Sequence, residues 1–387
     1  MHAPTLRCSI LFFTCTFLLF LSSLNLASSA KVCNSHDKNT LLEIKYHFNN
    51  ASVFATWDPD TDCCSNWTEI QCDAHGRVTM LEASIADDVI GEIPPAIGEL
   101  PYLQFLSFGS FPHLSGPIPP SIGKLKTLQH LDLNGNNLSG PIPDFLSQLK
   151  DLEYLDLGSN NLIGQIPSSL SKLSKLKLVS LATNHLSGHI PAFFGYMKNL
   201  SELYLLDNKL TGPIPSSLSQ LPNLFAINLG LNQLTGSIPA SFGSFKTPVI
   251  NFFSIYYNNL SGPIPRSFGK ANITELNLYH NKFTGDASFL FSRDKTSLTT
   301  LDIDHNLFSF NFSKVDLPQN LANLDISHNN IYGSLPNRLG QLPLKSIDVS
   351  FNQLCGHIPT GRRLKQFKPA MFSNNKCLCG PPLAPCN

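Results

Sequence analysis

Paired carboxylates and regularly spaced histidines are the residues of this sequence whose types and spacing could do chemistry. Asp302 and Asp304 stand two residues apart, as the acid and nucleophile of a glycosidase could. His280, His305 and His328 recur at intervals of 25 and 23 residues and could supply imidazole ligands to a metal ion. Whether either chemistry is available depends on the elements that hold these side chains.

Short catalytic motifs are missing from the sequence. There is no Gly-x-Ser-x-Gly nucleophile turn, no His-Glu-x-x-His zinc motif and no glycine-rich phosphate loop. Lysine plus arginine balance aspartate plus glutamate at 27 each, so no basic excess indicates a nucleic-acid partner. We therefore predict a protein that is not an enzyme, needs no cofactor and binds no nucleic acid.

A repeat of about 24 residues organises the chain. One unit reads Leu-Gln-His-Leu-Asp-Leu-Asn-Gly-Asn-Asn-Leu-Ser-Gly-Pro-Ile-Pro from Leu128 to Pro143. This frame is a leucine-rich repeat, of the variant that ends in Leu-x-Gly-x-Ile-Pro. Its asparagine recurs ten times, at Asn136, Asn160, Asn184, Asn208, Asn232, Asn258, Asn281, Asn306, Asn329 and Asn352. Two looser units, Val78–Gly91 and Leu103–Gly116, bring the number of repeats to twelve.

Repeats of this kind predict an α/β solenoid with a parallel sheet on its concave face. One unit cannot bury its apolar side alone, so neighbouring units must stack. The two leucines of each Leu-x-Leu core should point inward and the residue between them outward. We expect the asparagines to bond neighbouring backbones in a ladder. A short second strand should precede each Gly-x-Ile-Pro, and helical turns should follow it on the convex side.

The outward residues predict a concave face that is acidic, with interleaved tyrosine and histidine. Tyrosine is favoured at binding hot spots, and carboxylates pair with basic groups of a partner. We expect Asp302, Asp304 and the three histidines to be solvated residues without a strongly shifted pKa, and we expect no metal site. The residues predicted to contact a partner are Asp132, Asp156, Tyr204, Asp207, Tyr256, Tyr257 and Tyr279.

The N-terminus predicts export. Arg7 precedes an apolar run over residues 10–21, and the small residues Ser-Ser-Ala, which end at Ala30, form a signal-peptidase cleavage site. The alternative, a membrane anchor, fits less well because this run is short for a bilayer. We predict a signal peptide over residues 1–30, a cysteine cap over 31–76, repeats over 77–359 and a second cap over 360–387. The asparagines that fit the N-glycosylation rule are Asn50, Asn66, Asn137, Asn199, Asn259, Asn272 and Asn311.

Eight cysteines follow the predicted signal peptide, in two groups of four. The first group is Cys33, Cys63, Cys64 and Cys72, and the second is Cys355, Cys377, Cys379 and Cys386. Even numbers at both ends of an exported chain indicate disulfides, whereas no histidine pair at ligand spacing supports zinc. The end units of a solenoid lack a neighbour on one side, so capping is a physical need.

Four further features resemble one family of plant proteins. They are the Cys63-Cys64 pair and the segments 144–148, 285–288 and 374–380. Together they resemble plant polygalacturonase-inhibiting proteins from about residue 31 to the end. The resemblance implies a secreted cell-wall protein that blocks microbial or insect endopolygalacturonase with its concave face in plant defence. It also implies sequential disulfides, namely Cys33–Cys63, Cys64–Cys72, Cys355–Cys377 and Cys379–Cys386.

One departure from the family is expected. Typical members have ten repeats, so an extra pair should lie among the evenly spaced units between Asn136 and Asn232. Cell-wall pectin is a second candidate partner. Two other functions are alternatives: a soluble peptide-binding or co-receptor-like signalling module, and ice binding of the carrot type, which an acidic and aromatic face disfavours.

Overall fold

A computed structural model describes residues 32–386 as one stack of repeats. The predicted signal peptide lies outside the described residues. Within them, no helix is both long enough and apolar enough to cross a membrane.

The N-terminal cap is a helix tied to the first repeat by an ion pair. The helix spans Ser35–His47, and the Asn34 side chain accepts hydrogen bonds from the first turn. Asp37 is buried and forms a two-pronged pair with Arg77, with one oxygen also accepting from Val78 N. Because a buried carboxylate needs such partners, this contact fixes how the helix covers the first strand.

Twelve parallel strands and one antiparallel strand form the concave sheet, so the prediction of twelve repeats is confirmed. Each strand is short because the asparagine turn ends it within a few residues. The strands are Ile70–Cys72, Val78–Ser84, Phe105–Gly109, His130–Asp132, Tyr154–Asp156, Leu178–Ser180, Glu202–Tyr204, Ala226–Asn228, Ile250–Ser254, Ile273–Asn277, Thr300–Asp302, Asn323–Asp325 and Ser346–Asp348.

A second sheet follows the asparagines, as predicted. Its ten strands are Ile90–Glu92, His113–Gly116, Asn137–Pro141, Asn161–Gln165, His185–His189, Lys209–Gly212, Gln233–Gly236, Asn259–Pro263, Lys282–Gly285 and Leu307–Phe308. A third, three-stranded sheet, Tyr332–Gly333, Gln353–His357 and Cys377–Cys379, closes the C-terminal end.

The convex side consists of 3-10 turns, most of which begin directly after the proline of each repeat. Gly195, in one such turn, has no room for a side chain, since a Cβ there would lie 2.2 Å from the Ser217 backbone oxygen of the next repeat. The turns are Ser52–Phe54, Pro95–Glu99, Pro120–Lys124, Asp144–Gln148, Ser168–Lys172, Ala192–Tyr196, Ser216–Gln220, Ala240–Ser244, Arg266–Lys270, Ser288–Leu290, Phe312–Lys314, Asn337–Gln341, Leu364–Gln366 and Pro369–Phe372.

A buried asparagine ladder joins the repeats. The Asn208 side-chain nitrogen donates to Leu181 O of the preceding repeat at 2.9 Å and to Leu205 O of its own repeat at 3.3 Å. Its side-chain oxygen accepts from Leu186 N at 2.9 Å. One side chain thus satisfies backbone groups of two repeats that water cannot reach. The ladder continues into the cap through Asn375, which the sequence analysis missed.

Disulfides close both ends of the stack. The four bonds are Cys33–Cys63, Cys64–Cys72, Cys355–Cys377 and Cys379–Cys386, the pairs that the family resemblance implies. Near the first pair, Trp57 and Trp67 are buried and their rings stack at 5.4 Å. The aromatic layer covers the apolar end of the first repeat, which has no neighbour on that side.

Removal of one ladder side chain should destabilise the fold locally. In Asn208→Ala, the buried Leu186 N–H would lose its partner, at a cost of about 1–3 kcal/mol. The Leu181 carbonyl would keep only its longer bond from Asn184, at 3.3 Å. Urea unfolding followed by tryptophan fluorescence and limited proteolysis would measure the loss. Asn161→Ala is the matched control, since Asn161 is exposed on the second sheet. Equal loss of stability in both variants would contradict the ladder's role.

Deletion of a whole repeat should be tolerated better than deletion of a cap. Without Leu152–Lys175, Asn136 would be followed by Asn184 at the ordinary spacing, so the ladder could re-form. Removal of the chain from Cys377 onward would lose two disulfides and should abolish secretion. Secretion yield and protease resistance of the two variants would test this, and equal loss in both would refute it.

Candidate functional site

The concave sheet arranges its outward side chains in rows. Parallel pairing sets Asp132 beside Asp156 and Ser180 beside Tyr204, with successive strands in the same register. Strands in a sheet lie about 4.8 Å apart, so each outward side chain contacts its equivalents in the two neighbouring repeats. The chemistry of the face is therefore decided by which residues recur in a row.

Asp132 and Asp156 form the acidic part of the face near the N-terminal end. Asp132 accepts from Ser107 Oγ at 3.1 Å and from Asn134 N at 2.9 Å. Asp156 accepts from Gly158 N at 2.8 Å, and its burial raises its pKa. These bonds hold both carboxylates in fixed positions on the face, half-exposed to a partner.

Tyr204 and Asp207 lie in the middle of the sheet. The Tyr204 hydroxyl donates to Glu202 Oε2 at 2.6 Å, which fixes the ring across the strand. Asp207 is exposed at the concave rim, with a φ of 55° that puts its backbone in the left-handed region. Aspartate tolerates this conformation better than most residues. The two side chains together offer a partner one aromatic and one negative contact.

The three remaining predicted contact residues are not equivalent. Tyr257 is 46% exposed, whereas Tyr256 is only 7% exposed. Tyr256 lies over Gly230, where a Cβ would come within 2.5 Å of the ring, and stacks on Tyr279 with centroids 4.6 Å apart. The prediction that Tyr256 is an exposed contact residue is therefore corrected: it is a buried support for Tyr279.

A ring stack that the sequence analysis missed stiffens the N-terminal part of the face. His130 is sandwiched between Phe105 at 3.9 Å and Tyr154 at 4.0 Å. Burial lowers the pKa of His130 to about 4 and raises the pKa of Tyr154. The signal for this stack was present, because all three rings occupy the first strand position of consecutive repeats.

A longer ring stack runs along the rim at the C-terminal part of the face. Five consecutive repeats contribute rings whose centroids are 3.9–4.1 Å apart. Each ring residue has a positive φ of 45–52° and directly precedes a ladder asparagine. We call this set the rim stack; its members are Tyr257, His280, His305, His328 and Phe351.

The expectation that the aspartates beside the rim stack are solvated and have ordinary pKa values is wrong. Asp302 and Asp304 are not freely solvated, because burial, together with the neighbouring acids, raises the pKa of both carboxyls. Burial also raises the pKa of Asp325 to about 7. The three histidines are stacked and half-exposed, and partial burial lowers the pKa of each.

The pair Asp302 and Asp304 does not resemble a glycosidase site in its electrostatics. A glycosidase needs one protonated acid and one ionised carboxylate, which requires environments that push the two pKa values apart. Here the same causes raise the pKa of both carboxyls.

The predicted glycosylation sites leave the concave strands clear. Asn137 and Asn259 begin strands of the second sheet, and Asn199 and Asn272 lie in loops that lead into the concave strands. Asn50 and Asn66 belong to the N-terminal cap, and these six side chains are exposed. Asn311 is half-buried and caps a convex turn.

Comparisons with known proteins agree with this architecture. The family described as leucine rich repeat N-terminal domain matches residues 34–73, and families of leucine-rich repeats match residues 126–172, 199–221 and 320–342. Among solved structures, the chain resembles a plant ice-binding protein, with a TM-score of 0.59 and 38% identity over 92% of this chain and 98% of that one. It also resembles the Arabidopsis receptor kinase HAESA, with a TM-score of 0.68 and 30% identity over 84% of this chain and 59% of that one.

Relatives of known kind match nearly the whole chain. Polygalacturonase inhibitor 1 of Arabidopsis thaliana is 46% identical over 373 residues, which cover 95% of this chain and 97% of the relative. The polygalacturonase inhibitor of Pyrus communis is 43% identical over 372 residues, covering 95% and 96%. The expected pair of extra repeats between Asn136 and Asn232 stays a prediction. The chain belongs to the polygalacturonase inhibitor family of leucine-rich repeat proteins.

Proposed function

We propose that this protein is an extracellular inhibitor of microbial or insect endopolygalacturonase in plant defence. The observation that carries the proposal is 46% identity to a polygalacturonase inhibitor over nearly the full length of both chains. The disulfide caps suit an oxidising extracellular compartment such as the cell wall.

The concave face offers a mechanism that needs no chemistry. Twelve strands about 4.8 Å apart give an arc on the order of 50 Å, long enough to cover the cleft of an enzyme. A polygalacturonase holds a polyanionic chain, so basic groups in its cleft would meet Asp132, Asp156 and Asp207. Tyr204 and Tyr257 would supply aromatic contacts of the kind that dominate hot spots. Once seated, the inhibitor excludes pectin from the cleft.

Ice binding is the alternative that a specific observation favours, namely the likeness to a plant ice-binding protein. The surfaces of this chain support it less well. On the second sheet, Lys209 and Lys282 are exposed at the first positions of their strands. The predicted glycan sites Asn137 and Asn259 occupy the first positions of two other strands of this sheet. A regular uncharged array is thereby interrupted, and the concave face carries carboxylates.

The direct experiment measures inhibition. The secreted, purified protein would be assayed against a panel of fungal and insect endopolygalacturonases near pH 5, with release of reducing ends as the readout. We expect at least one enzyme to be inhibited. Failure against the whole panel, together with measurable thermal hysteresis of ice growth, would replace this proposal with ice binding.

Substitutions at the centre of the face should weaken inhibition. Tyr204→Ala removes the aromatic contact, and Asp207→Asn removes a charge while keeping a side chain suited to the left-handed backbone. We expect each substitution to weaken the free energy of binding to the enzyme by about 1–3 kcal/mol, as hot-spot truncations do, and so to raise the inhibition constant. Inhibition constants at low and high salt would measure this, because exposed charges are screened over about 8–10 Å.

Matched controls lie on the convex turn that follows in the same repeat. Ser216 and Gln220 are exposed there, so Ser216→Ala and Gln220→Ala should leave inhibition unchanged. If the convex variants lose inhibition and the concave variants keep it, the enzyme binds the other side of the solenoid.

The half-buried His130 should contribute to a loss of stability in acid. Its folded-state pKa of about 4 lies below its ordinary value of 6.5, so between these values the unfolded chain takes up a proton that the folded chain does not. This contribution to stability is present above pH 6.5 and is lost as the pH falls towards 4. His130→Phe keeps a ring in the stack and removes this contribution, so the variant should gain stability relative to the parent protein as the pH falls towards 4. Melting temperatures across this range would show it, and an unchanged slope would contradict it.

A further inference from the structure

The rim stack has a feature that the proposed inhibition does not use: three imidazoles in register on consecutive repeats. The His280 and His305 rings lie 4.0 Å apart, and the His328 ring lies 3.9 Å further along. Their backbones share the left-handed conformation, with φ between 45° and 50°, and the ladder asparagine follows each. The fold therefore presents these nitrogens along one line at the rim.

Asp304 brings an oxygen ligand to the same place. Its Oδ2 is 2.5 Å from His305 Nδ1. Nitrogen atoms of His280 and His305 and an oxygen of Asp304 all lie within 4.8 Å of one another. Two imidazoles with one carboxylate form a donor set that suits a borderline transition metal better than calcium or magnesium, which prefer oxygen ligands alone.

The surroundings of Asp304 lack compensating positive charge. Oxygens of Asp302, Asp304 and Asp325 lie within 4.8 Å of one another. No lysine or arginine in residues 32–386 forms a salt bridge with any of the three. The Oδ1 atom of Asp304 is also shielded from water, and the Asp304 carboxyl shares a hydrogen bond with Asp302 only when one of the two acids is protonated. A buried acceptor in this state is costly and calls for an ion or donor.

We propose that His280, His305 and Asp304 bind one divalent transition-metal ion of the zinc class. Zinc takes nitrogen and oxygen ligands at about 2.0–2.2 Å in a tetrahedral arrangement, which leaves its fourth position to water or to a group of a partner. Two imidazole nitrogens on one such ion are roughly 3.3 Å apart, given these bond lengths. The two rings are nearly parallel, at 14°, with their centroids 4.0 Å apart, so at least one ring must rotate out of the stack to bring both nitrogens onto one ion.

Other groups nearby define the alternatives. An ion held only by Asp302, Asp304 and Asp325 would be an oxygen site, and calcium would be its probe. Cys33, Cys63 and Cys64 also cluster, but these sulfurs are in disulfides and cannot act as thiolate ligands. His328 lies in the same stack as the proposed ligands but outside the triad, which makes it a matched control within the stack.

Calorimetric titration of the full secreted chain with zinc, after chelator treatment and near neutral pH, tests the proposal. We expect one equivalent to bind, with a heat signal that calcium does not reproduce or displace. His280→Gln, His305→Gln and Asp304→Asn should each weaken zinc binding about tenfold or more. His328→Gln and His185→Gln, the latter an exposed histidine of the second sheet, should leave binding within a factor of about three.

Several outcomes would overturn the site. The first is the absence of zinc binding below about 100 μM, since a three-ligand site should bind more tightly than that. The second is a loss of zinc affinity in His328→Gln as large as the loss in the ligand variants. The third is calcium binding that depends on Asp304 but not on the histidines. If a variant is not secreted, histidine resonances of the unsubstituted protein give a second measurement. Zinc should then shift two histidine signals, and a uniform shift of all histidines would refute the site. No polygalacturonase enters these experiments, so they stand apart from inhibition.

Discussion

The buried asparagine is the interaction on which the rest of this structure depends. Each one satisfies backbone groups in its own repeat and in the repeat before it, as Asn208 does for Leu205 and Leu181. Because the turns are closed to water, those backbone groups depend on the ladder asparagines for their partners. The geometry also forces the preceding residue into the left-handed region, whether it is aspartate, tyrosine or histidine. Strand length, register and the position of the rim follow from this one side chain.

The ladder turns repetition in the sequence into rows in space, and this explains the electrostatics of the face. A lone aspartate on a strand would be solvated, but Asp325 has an aspartate on either side in the same row, at Asp302 and Asp348. The neighbours exclude water and add like charge, so its pKa rises to about 7. The same stacking lowers the pKa of the rim histidines. Identical side chains thus change one another's chemistry simply by recurring in one register.

Much of the fold could be predicted from the sequence because the repeat frame is local. The positions of the ten asparagines predicted the strands, the second sheet and the convex turns, and the alternation of residues predicted which leucines point inward. The properties of individual face residues could not be predicted in the same way. Tyr256 is buried because Gly230 leaves space one repeat away. Asp304 is shielded because rings and carboxylates of neighbouring repeats surround it. Such effects depend on which residue occupies the equivalent position in the neighbouring repeat. Sequence patterns within one repeat do not show that residue.

The parts of the concave face therefore differ in how much freedom their side chains have. The stack around His130 and the rim stack that begins at Tyr257 hold their rings on both sides, so little side-chain freedom remains to be lost when a partner binds. Between them lie the strands from Leu178 to Asn228, where Ala182 is small and Asp207 is exposed. A partner can enter this middle section without displacing a stacked ring. That placement fits the proposed docking of an enzyme at the centre, and it leaves the three histidines of the rim stack available for a separate ligand.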